Sequence, residues 1–448
     1  MTGAPATPSP HLARLGPITL APGITPRQVL SFIMFAVTMG CVVGFVPLMM
    51  PFVLADQLGL SREVHGRVTG TVQVIQQVAS IAFISIFGAL ADRHGRRPFL
   101  LLAGVGIVLS ALWFPFIGAL PVLLVAMFVL GIAQVAQTAG GATSVVDYPD
   151  NNSRGKYIAL MLLTQGSVAG LLTGRVAMRI PDWLKAEGVS PATANMAAFW
   201  FVAALGMVGI AFAWWGITVD RKPAASMQEK GVASEFRAAF LNLLDVLRYA
   251  RVNKRFRLIL LIACVVRSDF MIVASFLSLW VVGVATDQGV AAGAARAHAG
   301  NFFFLLSIAT VVMPVMSGFI ADRAPRIKFL MTALAFASIA YTATALIDDV
   351  FGMGAWVVIG LIGLSEGMII VGAQSMLGEE APVHLRGSSI GVFTLAGLIG
   401  VLLVSLAGGF AFDAIHASAP FVLVGFLNLI ALAFAMNYER EKGTSASS

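Results

Sequence analysis

Three ionisable residues interrupt runs that are otherwise apolar: Arg267 and Asp269 in one run, Glu366 in another. A charge at the centre of a bilayer costs at least about 2.5–3.5 kcal/mol, so residues of this kind are kept for pairing, for binding a charged ligand or for carrying protons. Residues two apart on a helix point about 200° away from one another, so Arg267 and Asp269 are not expected to pair, and one of them needs a partner elsewhere. Glu366 is the candidate, either as an ion-pair mate for Arg267 or as a neighbouring acid for Asp269. Two close carboxylates, or one shielded from water, take up a proton more readily and suit a site that binds and releases one. The alternative use is a buried ion pair that fixes helix register.

A second group is uncharged. Gln73 and Gln77 share one helix face, Gln134, Gln137 and Thr138 cluster on another helix, and Gln165 lies on a third. Their amides and hydroxyl would either hydrogen-bond a polar ligand across a central cavity from the acids or bond between helices. Gly166, Gly170 and Gly174 recur every four residues, a flat ridge for helix packing. Arg175 and Arg179, near the outer end of the same helix, are expected to snorkel to the interface. Cys41 and Cys264 fall inside apolar runs as small packing residues, and the histidines are scattered without metal-ligand spacing. There is no GxxxxGK[ST] loop, so any work would draw on an existing gradient. No nucleophile or acid pair at a cofactor-like site is present; neither enzymatic activity, a metal nor a cofactor is expected.

The elements that carry these residues follow from composition. Of 448 residues, 58% are hydrophobic and 11% charged, against roughly 25% charged in a soluble domain. A bilayer core about 30 Å thick takes about 20 apolar residues to cross as a helix. The runs here are continuous rather than alternating, which excludes an outer-membrane barrel. Twelve such runs begin near residues 28, 67, 98, 121, 155, 193, 257, 298, 328, 351, 387 and 418. The expected fold is all-α and integral to the membrane, in two six-helix bundles: a tail over 1–27, a bundle over 28–218, a linker over 219–256, a second bundle over 257–437 and a tail over 438–448. The first 27 residues show no signal-peptide pattern, so the first helix is expected to stay. In the linker, Phe236, Phe240, Leu243, Leu244 and Leu247 fall at helical spacing with Arg237, Asp245 and Arg248 elsewhere on the wheel, as in a helix lying on the membrane surface. The formal charge is +7. Most Lys and Arg fall on segments that a twelve-span chain with both termini inside places in the cytoplasm, which is the positive-inside bias. The basic balance therefore requires the lipid bilayer, not a nucleic acid, as partner. The location expected is the inner or plasma membrane.

The two halves repeat one another. GALADRHGRR from Gly88 is matched by GFIADRAPRI from Gly318, and DYPDNNSRG from Asp147 by EEAPVHLRG from Glu379. Asp92 to Asp322 and Arg154 to Arg386 keep almost one register, as in transporters built from internal repeats. Gly88 offers a surface without a side chain where helices approach closely. Asp92 ends its helix with a negative charge placed to meet the positive N-terminus of a neighbour.

These residues resemble the major facilitator superfamily over essentially the whole chain. Gly88, Asp92, Arg93, Gly95, Arg96 and Arg97 match its cytoplasmic signature loop; the second copy carries Gly318, Asp322 and Arg323, with Pro325 where Gly95 would stand. The resemblance implies that Asp92 addresses the eleventh helix near Gly387, that Arg96 or Arg97 pairs with an acid such as Asp147, and that Asp322 addresses the fifth helix near Gly155. Together with Arg154, Glu379 and Arg386, these would form a cytoplasmic gate that joins the halves when the cavity opens outward. It implies a secondary transporter of a small solute, working as a monomer by alternating access. The seventh and tenth helices would line its cavity, Asp269 or Glu366 would carry protons, and Arg267 would serve as counter-ion or anion clamp. The Gly-Pro motif of drug–proton antiporters on the fifth helix is absent. A proton-independent facilitator, an organic-anion uptake system and a sensor or assembly factor that moves nothing stay open.

Overall fold

The computed structural model describes residues 13–141, 144–150, 153–217, 244–320, 325–380 and 386–446. Twelve helices are long and apolar enough to cross a membrane: α1 (Pro26–Gln57), α2 (Arg62–Ala91), α3 (Arg97–Phe116), α4 (Leu120–Gly141), α5 (Arg154–Ala186), α6 (Pro191–Gly216), α7 (Lys254–Asp287), α8 (Ala292–Met316), α9 (Arg326–Leu346), α10 (Met353–Glu380), α11 (Ser388–Ala414) and α12 (Ala419–Arg440). Their starts follow local chemistry. Thr25 and Gln28 form a capping box ahead of α1, with Gln28 N donating to Thr25 Oγ1 at 3.3 Å, Thr25 N donating to Gln28 Oε1 at 2.8 Å, and Pro26 at the first helical position. Ser190 caps α6 ahead of Pro191, and Asn253 Oδ1 caps α7 by accepting from Phe256 N at 3.1 Å. Helix α5 departs from regular winding: Thr164–Ala169 and Leu171–Val176 are π-helical, over the segment that carries the glycine ridge.

Helices α1–α6 and α7–α12 form two bundles, joined mainly where α2 packs along α11, α5 along α8 and α1 against α7. An even number of crossings brings both ends of the chain to one face, here called the termini face. The inter-bundle seams close tightly toward the opposite face. A methyl on Gly70 of α2 would stand 2.5 Å from Ser405 O of α11, and one on Gly170 of α5 would stand 2.7 Å from Ser307 Cβ of α8. Gly174 meets the backbone of Gly300 directly. The glycine ridge thus serves the seam between bundles.

The tail expected over 1–27 carries regular structure in its described part. Strands β1 (Arg14–Leu15) and β2 (Ile18–Thr19) form an antiparallel hairpin. The chain then runs along the loop between α4 and α5: Ala21 N donates to Tyr148 O and Asp150 N to Thr19 O, both at 2.9 Å, and Thr19 N donates to Ser153 Oγ at 3.0 Å. Ile18 and Leu20 are buried by this contact, a period of two that a short tail hides. In the linker, Phe236, Arg237, Phe240 and Leu243 lie outside the described residues. Residues 244–252 are helical, but Val246 and Ala250 are the buried pair while Leu247 is exposed.

Candidate functional site

A cavity of about 330 Å³ lies between the bundles. From the N-terminal bundle it takes the amides of Gln73 and Gln76 on α2, Gln134 on α4 and Gln165 on α5; from the C-terminal bundle it takes an apolar wall that includes Phe270, Met271, Phe303, Leu306 and Ile370, relieved by Ser307 and Thr310. Gln76 Nε2 donates to Gln134 Oε1 at 2.8 Å, tying α2 to α4. Gln73 Oε1 is buried without a hydrogen-bond partner. The expected amide set is therefore only partly assembled. Gln77 is buried but off the cavity, Gln137 is half-buried off it, and Thr138 is exposed with its hydroxyl returned to Gln134 O at 3.0 Å. Gln76, absent from that set, takes the place expected of Gln77. Positions 76 and 77 both lie near Gln73 on the wheel, and the packing of α4 decides which one faces inward.

Seventh and tenth helices do line the cavity, but through Phe270, Met271, Ala274 and Ile370; the carboxylates lie behind that wall. Asp269 is 1% exposed and accepts from Asn428 Nδ2 of α12 at 3.0 Å. Glu366 is 3% exposed and accepts from the Tyr341 hydroxyl of α9. Each carboxylate is within electrostatic reach of the other, with Tyr341 beside both. Glu366 is thus the neighbouring acid of Asp269 rather than the mate of Arg267. Asp269 Oδ1 and Asn428 Oδ1 are both buried acceptors without a donor. Arg267, 200° around the helix from Asp269, is exposed, and no carboxylate among the described residues lies within ion-pair distance of it.

The two faces of the molecule are held differently. On the face opposite the termini, ion pairs join the bundles: Arg62 to Asp287 at 3.0 Å and Arg67 Nε to Asp413 at 3.1 Å. Asp413, in the last turn of α11, also accepts from the backbone N–H groups of Gly66 and Arg67 at 2.7 and 2.8 Å. A carboxylate at the end of one helix thus caps the start of another. This is the chemistry expected of Asp92 toward α11, realised at the other end of the same helix pair. Buried Arg296 of α8 donates to Asn195 of α6 at 2.8 Å, lies 3.6 Å from Asp182 and stacks over Phe52 of α1. Arg179 donates to Asn301 of α8 at 3.3 Å and Arg175 lies over the Phe304 ring, so both cross to the other bundle where snorkelling was expected.

At the termini face the ion pairs found among the described residues, sequence neighbours aside, join parts of one bundle. Arg96 meets Asp147 at 2.7 Å, as the resemblance implied, and Arg97 donates to Trp214 O at 2.6 Å. Arg255 reaches Glu379 at 3.3 Å and also Glu380, with Arg326 3.6 Å from Glu379. Among the described residues, a methyl built on Gly88, Gly155 or Gly391 would meet nothing within 4 Å, so no close approach at Gly88 is seen among them. Gly95 adopts φ 83°, which a proline ring cannot; Pro325 instead stands just ahead of α9 with φ −55°. Arg93 is half-buried beside Gly95. Asp322 and Arg323 lie outside the described residues, as do the side chains of Asp92 and Arg386; Gly318 is helical, and Arg154 opens α5.

The family model for the Major Facilitator Superfamily matches residues 29–401, with a further match over 269–448. The chain belongs to the Major Facilitator Superfamily. It is a multi-pass protein of the cell membrane, in a family of transporters. It is similar to the magnetosome protein MamH of Paramagnetospirillum magneticum, 28% identical over 86% of either chain. It is also similar to MamZ of that organism, 25% identical over 93% of this chain but spanning only 63% of MamZ. In fold it resembles the nucleoside transporter NupG, with a TM-score of 0.73 at 11% identity, covering 92% of this chain and 99% of that one.

Proposed function

We propose that this superfamily member moves a small solute by alternating access, with the energy supplied by protons that occupy the Asp269–Glu366 site. The observation that carries the proton reading is the pair of orphaned acceptors, Asp269 Oδ1 and Asn428 Oδ1, in a dry site. A buried acceptor without a donor is costly, and one proton on Asp269 supplies the missing donor. The titratable groups around it are Glu366 from α10 and Tyr341 from α9, with Asn428 from α12 as the polar partner. The wall residues Phe270 and Met271 follow Asp269 directly in α7, so a change of charge at Asp269 is felt one residue from the solute.

The bonded seams on one face and, among the described residues, the unmet glycines on the other support an inward-open state, with the termini face read as cytoplasmic from the positive-inside bias. Proteoliposomes loaded with a pH-sensitive dye test the coupling. Adding a transported solute outside should acidify the lumen with wild-type protein and fail to do so with Asp269→Asn or Glu366→Gln. Because neither carboxylate lines the cavity, a proton-independent facilitator is the second reading; solute entry with no lumenal acidification in the wild type would establish it and remove the first.

A further inference from the structure

We infer that the solute is a small monocarboxylate, its body held in the amide-lined cavity and its charge held by Arg267 at the cavity mouth; this rests on the transport reading above. Arg267 lies on the same stripe of α7 as the lining residues Phe270, Met271 and Ala274, at offsets of three, four and seven residues. It is one turn nearer the termini face, about 5 Å along the axis, on the side where the seams are not drawn together.

The other deep charged groups have partners on the protein: Asp269 has Asn428, Glu366 has Tyr341, and Arg296 has Asn195 and Asp182. Arg267 alone among these has no carboxylate among the described residues within ion-pair distance, and it is exposed. Its stem runs against Gly397 of α11, where a methyl would stand 2.8 Å from Arg267 Cδ and 3.1 Å from its Cβ. The glycine thus gives the guanidinium stem a defined course past α11. A planar guanidinium recognises carboxylate oxygens through paired N–H donors. One uncompensated cation balances one carboxylate, whereas a phosphate ester carries about two charges.

The cavity suits the rest of such a molecule. Its C-terminal wall is apolar, and at about 330 Å³ it sits at the small end of ligand pockets. On the opposite wall the Gln76–Gln134 bond leaves Gln76 Oε1 and Gln134 Nε2 as an adjacent acceptor and donor, and Gln73 Oε1 lacks a donor altogether. An apolar body with a hydroxyl or N–H on one edge meets both walls.

The test uses purified full-length protein and matched acid–amide pairs, phenylacetate with phenylacetamide and nicotinate with nicotinamide, with phenyl phosphate as a dianion control, read by thermal shift. The acid of each pair should bind at least about tenfold more tightly than its amide. Arg267→Gln should remove that preference, Arg267→Lys should keep part of it, and Gly397→Ala should reduce it with the charge intact. Gln73→Leu should weaken both members of a pair. Amides binding as well as acids, a preference that survives Arg267→Gln, tighter binding of phenyl phosphate, or no binding by any pair would each overturn the inference. Arg267-dependent acid binding without acid uptake into vesicles would instead overturn the transport reading and leave the site standing.

Discussion

Asp269 and Asn428 face one another with an acceptor each to spare, and the same accounting applies to every buried polar group in this molecule. Glu366 depends on one hydroxyl; Tyr341→Phe should lower stability by about 1–3 kcal/mol, the range for a buried group stripped of its partner, and thermal denaturation in detergent measures it. Gln76→Leu should likewise destabilise by leaving the Gln134 amide without its partner, and Gln76→Leu combined with Gln134→Leu should recover part of the loss, the signature of a coupled pair. If the double variant lost the sum of the two single effects, the Gln76–Gln134 bond would have no energetic meaning. These residues were unequally legible. Charges stand out in an apolar run whatever they touch, so Arg267, Asp269 and Glu366 were visible at once, and the 200° between Arg267 and Asp269 correctly kept them apart. What each one faces was not visible, because Asn428 and Tyr341 are unexceptional residues on helices far along the chain.

At the level of elements, glycine spacing was informative because it is a property of one helix, while caps between helices were not. The ridge at Gly166, Gly170 and Gly174 could be read directly, although its partner α8 could not. Asp413 gave no signal at all: its meaning comes from the start of α2, which lies in the other bundle. Gly70→Ala should force α2 and α11 apart, since its methyl would lie 2.5 Å from Ser405 O. The expected outcome is a shift toward the state open on the face opposite the termini, with fluorophore pairs near Arg62 and Asp287 reporting a longer distance. Asp413→Asn should act in the same direction, weakened by the loss of charge at a helix N-terminus, typically about 0.3–1 kcal/mol. The π-winding of α5 has no sequence signature; it coincides with the segment that packs against α8.

Over the whole molecule, the repeated motifs and the hydropathy runs determined two bundles of six helices before any contact was known, because both are periodic and local. They did not reveal which state the bundles adopt. That depends on small differences between two sets of seams, and what supports the proposed state is the distribution of bonds among the described residues: pairs between bundles on one face, pairs within bundles on the other. Gly391→Cys should react rapidly with a membrane-impermeant maleimide added at the termini face, and Ser405→Cys, on the closed seam, should stay protected; equal reactivity would contradict the distribution of contacts. The N-terminal hairpin adds a constraint of a mechanical kind. Residues 13–24 lead straight into α1 yet are hydrogen-bonded to the loop that leads into α5. The two helices most involved in lining the cavity from the first bundle are therefore stapled at their termini-side ends by a short strip of sheet. A staple of this kind opposes separation of α1 and α5 at that end, and trimming the chain past residue 13 should loosen the two helices there, seen as faster amide hydrogen exchange around Tyr148 and Ser153.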